Sequence, residues 1–176
     1  SRDGLNWQKV PFENDAGVPE VFLANGPEGG NQARNDGGYI CEFSQGPLRI
    51  GDELIYYYSA TSYGKRAPAD VRITGGGIFR ARLRLDGFVS VDWGTLTTRP
   101  LDIEGGELLV NSVGPVTVEV LNAAGKVLGQ AETAGDSLRH AVAFGGKSLR
   151  DLAGATPTRL RFTVPPESRL YSFTVN

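Results

Sequence analysis

The chain has 176 residues and contains no methionine, one cysteine and one histidine. Cys41 alone cannot close an internal disulfide. With His140 it supplies too few nitrogen and sulfur ligands for a zinc centre. A serine–histidine–aspartate triad would have to use His140, which lies in the polar stretch SLRHAVAF and reads as a solvated or capping residue. No apolar run approaches the length of a membrane span. With a net charge of −2 there is no basic field to release counterions from nucleic acid. No consecutive Asp-x-Asp-x-Asp loop suggests calcium. The glycine pieces Gly29-Gly30 and Gly75-Gly76-Gly77 lack the Lys-Ser/Thr and the helix of a phosphate loop. We therefore expect no cofactor, no metal, no nucleic acid partner and no membrane partner. No secretory leader is visible, and the lack of any methionine leads us to expect a mature or excised piece of a longer protein.

Glycine is abundant at 24 residues, and 10 prolines join it between short β-type runs. Helical periodicity is not sustained anywhere; the best candidate, Lys147 to Ala153, is short and closed by Gly154. Strands are predicted at 39–43 (YICEF), 53–60 (ELIYYYSA), 77–85, 88–93, 108–113 (LLVNSV), 116–121 (VTVEVL), 126–130, 139–144, 158–164 (TRLRFTV) and 169–175 (RLYSFTV). Many short strands joined by turn chemistry predict an all-β fold. The character changes near Gly94 to Pro100, from aromatic strands with long loops to evenly spaced aliphatic ones. This divides the chain into an antiparallel β region over 1–94 and a β-sandwich over 95–176.

Three stretches carry a resemblance when taken in order. Ser1-x-Asp3-Gly4-x-x-Trp7 is a short turn motif of β-propeller blades, in which Asp and Ser cap the turn and Trp packs beneath it. GDELIYYYSA and GGGIFRARLRLDGFVSVDWG follow it. Together they resemble the last blade of the five-bladed propeller glycoside hydrolases of the family 43 and family 32 group. GGELLVN, VTVEVLNAAGKVLG, TRLRFTV and RLYSFTV resemble the C-terminal sandwich of the same proteins. The resemblance implies an antiparallel, propeller-blade-like sheet packed on a jelly-roll-like sandwich, in a secreted or cell-surface bacterial protein. Those enzymes place paired carboxylates on several early blades, and no acid of this chain matches those positions. The resemblance thus implies no catalytic residues here and a glycoside hydrolase as parent.

The run ARLRLDGFVSVDW carries the most suggestive candidates. Asp86-Gly87 predicts a tight turn closing a hairpin. With Leu85 paired to Phe88, Arg84 would oppose Val89, Arg82 would oppose Val91 and Arg80 would oppose Trp93. One face would then be a cationic stripe beside an indole. An exposed indole can stack on a pyranose, and guanidinium groups can donate paired hydrogen bonds to hydroxyls or to an acidic sugar. The structural alternative is arginine stems shielding a half-solvated sheet, with Arg80 stacked on Trp93. In ELIYYYSA, Tyr56 and Tyr58 share one face and Tyr57 takes the other. One face is core, and Tyr57 is a candidate sugar contact. Glu42 in YICEF would face the propeller funnel in the resembled blade; its alternative is a solvated carboxylate.

The expected function is a non-catalytic carbohydrate-binding module derived from a glycoside hydrolase. Its candidate glycan contacts are Trp93, Arg80, Arg82, Arg84, Glu42 and Tyr57. The alternative is the C-terminal fragment of such an enzyme, with a sandwich that supports the catalytic propeller. A lone blade has two open sheet edges, which would dock on the sandwich or pair with a second copy of the chain.

Overall fold

The computed structural model describes residues 3–6, 21–26, 36–62, 76–154 and 156–176. Their regular structure is mostly β, with antiparallel sheets and one short helix. Two compact units are present: residues 1–47 with 56–81, and residues 48–55 with 82–176.

In the first sheet, β3 (Glu53–Thr61) is central. Its C-terminal half pairs with β1 (Tyr39–Phe43), and its N-terminal half pairs with β2 (Leu48–Ile50) through the turn Gly51-Asp52. Gly51 adopts φ +61°, which glycine supplies at no steric cost. Strand β4 (Gly76–Arg84) also pairs with β3. Among the described residues of the first unit, the aromatic side chains cluster on one face. Tyr58 is buried, stacks on Phe43 at 5.6 Å and meets Phe79 at 5.5 Å. Tyr56, on the same face, makes edge contacts with Phe43 and Phe22. Burial, followed by Asp36, which accepts from the hydroxyl at 3.2 Å, raises the Tyr58 pKa. Asp3 caps its own turn, accepting from the backbone amides of Leu5 and Asn6 at 2.9 and 2.8 Å. Ser1 and Trp7 of the same motif lie outside the described residues.

The second unit contains a seven-stranded sandwich. One sheet orders β5 (Gly94–Thr97), β10 (Arg159–Val164), β7 (Val116–Leu121) and β8 (Val127–Thr133). The other orders β11 (Arg169–Val175), β6 (Leu108–Val113) and β9 (Asp136–Ala141). Period-two alternation builds the core. Val116, Val118 and Val120 face Leu160, Phe162 and Val164 along one sheet, while Leu108, Val110 and Leu170 come from the other. Each fully buried aliphatic or aromatic side chain of this kind contributes about 1.5–3 kcal/mol, so one continuous core holds both sheets. The intervening Thr117, Glu119, Arg161 and Thr163 point away from it. On that outer face Arg161 grips Glu119 with two bonds, of 2.6 and 2.9 Å.

Helix α1 (Leu149–Ala153) starts with a capping box in which Ser148 and Asp151 satisfy each other's backbone amides, and it buries Leu149 and Ala153. Gly129 of β8 makes room for it, since a Cβ there would come 2.5 Å from Leu152 Cδ1.

Several features differ from the sequence expectation. A turn forms one residue earlier than predicted: the Gly87 amide bonds to the Arg84 carbonyl at 2.8 Å, so Leu85 and Asp86, the latter at φ +60°, are its central residues. The chain beyond it does not return along β4. Residues 88–93 form no strand, and Val91 instead exchanges backbone bonds with Leu170 of β11. The predicted pairings of Arg84 with Val89, Arg82 with Val91 and Arg80 with Trp93 are therefore corrected. The Val91 side chain joins the sandwich core, and burying it there outweighs a two-residue hairpin. The second unit consequently takes in residues 82–94 ahead of the sandwich. Strands β2 and β5 are not among the predicted ones, and β9 begins three residues before the predicted 139–144.

Candidate carbohydrate-contact surface

The six candidate residues fall on both units. In the first, Arg80 is exposed near the end of that unit's part of β4. Glu42 is exposed and accepts from the Ser59 hydroxyl at 2.6 Å, a bond that lowers its pKa. Tyr57 is 39% exposed on the face opposite the aromatic core. Tyr57 thus offers part of an aromatic surface, whereas Glu42 is a solvated carboxylate tied to its neighbouring strand.

The second unit holds Arg82, Arg84 and Trp93. Arg82 is exposed and lies 3.6 Å from Glu53. Arg84 is different: only 22% of its side chain is exposed. Its Nε donates to Asn111 Oδ1 at 2.8 Å and its Nη1 to Asp136 Oδ1 at 2.6 Å. Its guanidinium also lies over the Tyr171 ring, 5.1 Å from the centroid. Asn111 in turn donates to the Leu85 carbonyl at 2.9 Å. The donors of Arg84 are committed to fastening the end of β4 to the β6–β9 end of the sandwich. For this arginine the geometry matches the structural alternative.

Trp93 is 76% exposed, the largest solvent-facing aromatic surface among the described residues. It immediately precedes β5, where Gly94 pairs with Val164 of β10. The turn Pro165–Ser168 follows Val164 and leads into Arg169. The Val91–Leu170 bridge holds the chain before Trp93 beside the start of β11. As a result Asp92 meets Arg169 across 3.8 Å, and the Ser90 hydroxyl donates to Asp92. Phe88 and Val89, both half exposed, lie in the same loop. The loop before β5 and the start of β11 therefore bring Ser90, Asp92 and Arg169 together on backbone anchored by the Val91–Leu170 bridge, with Trp93 the next residue along the chain. Fixed backbone limits the entropy lost when a ligand is held.

Ser90, Asp92 and Arg169 were not among the sequence candidates. Asp92 was open to recognition as the neighbour of Trp93, but Arg169 is far off in sequence and arrives only through the Val91–Leu170 bridge. No family model matches this chain, and no curated protein or solved structure does. Among the described residues no group of three or more histidine, cysteine or acidic side chains could hold a metal ion. No described helix is long and apolar enough to cross a membrane.

Proposed function

We propose that this chain is a carbohydrate-binding module without hydrolytic activity of its own, derived from the C-terminal part of a propeller glycoside hydrolase. The reading rests on Trp93. A soluble domain gains nothing in stability from an indole left 76% in water, whereas an exposed indole beside hydrogen-bonding groups suits the apolar face and hydroxyl rim of a pyranose. Stacking on one ring with two or three hydrogen bonds supports a dissociation constant of about micromolar to millimolar. The parent would be a bacterial secreted or cell-surface protein, as the resemblance of the blade-like and sandwich segments implies.

The test is electrophoresis of the chain through gels containing soluble polysaccharides. Retardation by at least one glycan is expected, together with its loss in Trp93→Ala while the far-UV circular dichroism stays unchanged. Absence of retardation across a broad panel, or unfolding of Trp93→Ala, would remove the reading. Turnover of arabinan, xylan or fructan that Glu42→Gln abolishes would favour a catalytic chain. Four further blades encoded upstream of Ser1 would favour the other origin, a sandwich that chiefly supports a propeller.

A further inference from the structure

The charges around Trp93 bear on which glycans it can take. We infer that this end of the sandwich selects neutral glycans over carboxylated or sulfated ones, an inference that rests on the carbohydrate-binding reading above.

An arginine paired to the neighbour of an exposed tryptophan invites the opposite expectation, an acidic ligand held by its guanidinium. The ion pairs argue against it. Arg82 faces Glu53, Arg84 faces Asp136 and Arg169 faces Asp92. Glu167, exposed in the turn two residues before Arg169, adds a second negative charge to this stretch of chain. An anionic sugar reaching Arg169 would have to displace Asp92 and then sit beside it. It would lose the attraction that drew it and gain like-charge repulsion.

A neutral sugar meets no such conflict. One hydroxyl can accept from Arg169 while the same or an adjacent hydroxyl donates to Asp92, with the pair left in place. Both side chains of the pair are more than half exposed, at 58% and 57%, so they can reach a ligand. The Ser90 hydroxyl, donating to Asp92, holds the carboxylate in position. Because the ligand carries no net charge, its affinity should be nearly independent of ionic strength.

Affinity electrophoresis of the full chain tests this, with arabinan, galactan and mixed-linkage glucan as neutral probes and polygalacturonate and alginate as acidic ones. The expected result is retardation by at least one neutral glycan, lost in Trp93→Ala. It should change less than about twofold between roughly 0.05 and 0.5 M sodium chloride, a range over which exposed charges become strongly screened. The acidic glycans should not retard the wild-type chain. Asp92→Asn combined with Glu167→Gln should bring retardation by polygalacturonate that added salt abolishes.

Wild-type retardation by an acidic glycan, dependent on Trp93 and weakened by salt, would overturn the inference while leaving the carbohydrate-binding reading intact. A double variant that still ignores both acidic glycans would also overturn it, by showing that charge is not what excludes them. No retardation by any of the five would overturn both.

Discussion

Truncating Arg84 to alanine should destabilise the second unit far more than truncating the equally cationic Arg82. The reason lies in what each removal leaves behind. Asn111 is 3% exposed, and its Oδ1 takes the Arg84 Nε at 2.8 Å. Without the guanidinium that oxygen is buried and unpaired, which costs about 1–3 kcal/mol. The contact with Tyr171 at 5.1 Å is lost as well, a further ~0.5–1 kcal/mol. The Asp136 partner adds little, because its side chain is 64% exposed and exposed pairs are worth about 0–1 kcal/mol. The total comes to about 1.5–5 kcal/mol, or roughly 0.8–2.5 M in urea midpoint at an m-value near 2 kcal/mol/M. Urea unfolding followed by far-UV circular dichroism reads this directly. A double-mutant cycle with Asn111→Ala should return a coupling of about 1 kcal/mol or more. Arg82→Ala should move the midpoint by no more than about 0.3 M, as exposed substitutions do. If Arg84→Ala behaves like Arg82→Ala, the clamp is not structural, and Arg84 returns to the list of ligand candidates.

The other predictions concern charge and backbone. Arg161 holds the Glu119 carboxyl below its usual range, its two hydrogen bonds being the largest cause. A carboxylate depressed on folding stabilises the fold above its unfolded pKa, and this stabilisation is lost as pH falls through the folded value. Glu119→Gln should therefore lower the urea midpoint at pH 7 and lose that penalty in acid; an equal penalty at both pH values would contradict the assignment. Gly114→Ala should cost about 2–3 kcal/mol, combining left-handed backbone strain with overpacking, because Gly114 sits at φ +76° with the Ser168 Oγ 2.7 Å from any added Cβ. Thermal unfolding of that variant checks it, and an unchanged melting temperature would show that the turn can rearrange.

The alternation of valine with polar residues in VTVEVL and of leucine and phenylalanine with arginine and threonine in RLRFTV was sufficient to mark β7 and β10, because side chains on a pleated strand alternate between core and solvent. Strands β1, β6 and β11 are likewise found at the residues predicted for them, and the all-β class follows from their number and spacing. The helical candidate over 147–153, closed by Gly154, likewise contains α1, whose capping box the structure adds. What the sequence could not decide was where the chain goes after Asp86-Gly87. The residue types suit a turn in either outcome, and the choice depends on whether Val91 finds better burial against β4 or against β11, a comparison that exists only once Leu170 is in place. The same long-range choice fastened Arg84 to Asn111, took Trp93 out of the predicted arginine stripe and brought Arg169 to Asp92. Residue types and local pattern thus determined which groups were available, and the docking of distant strands determined which of them stand together.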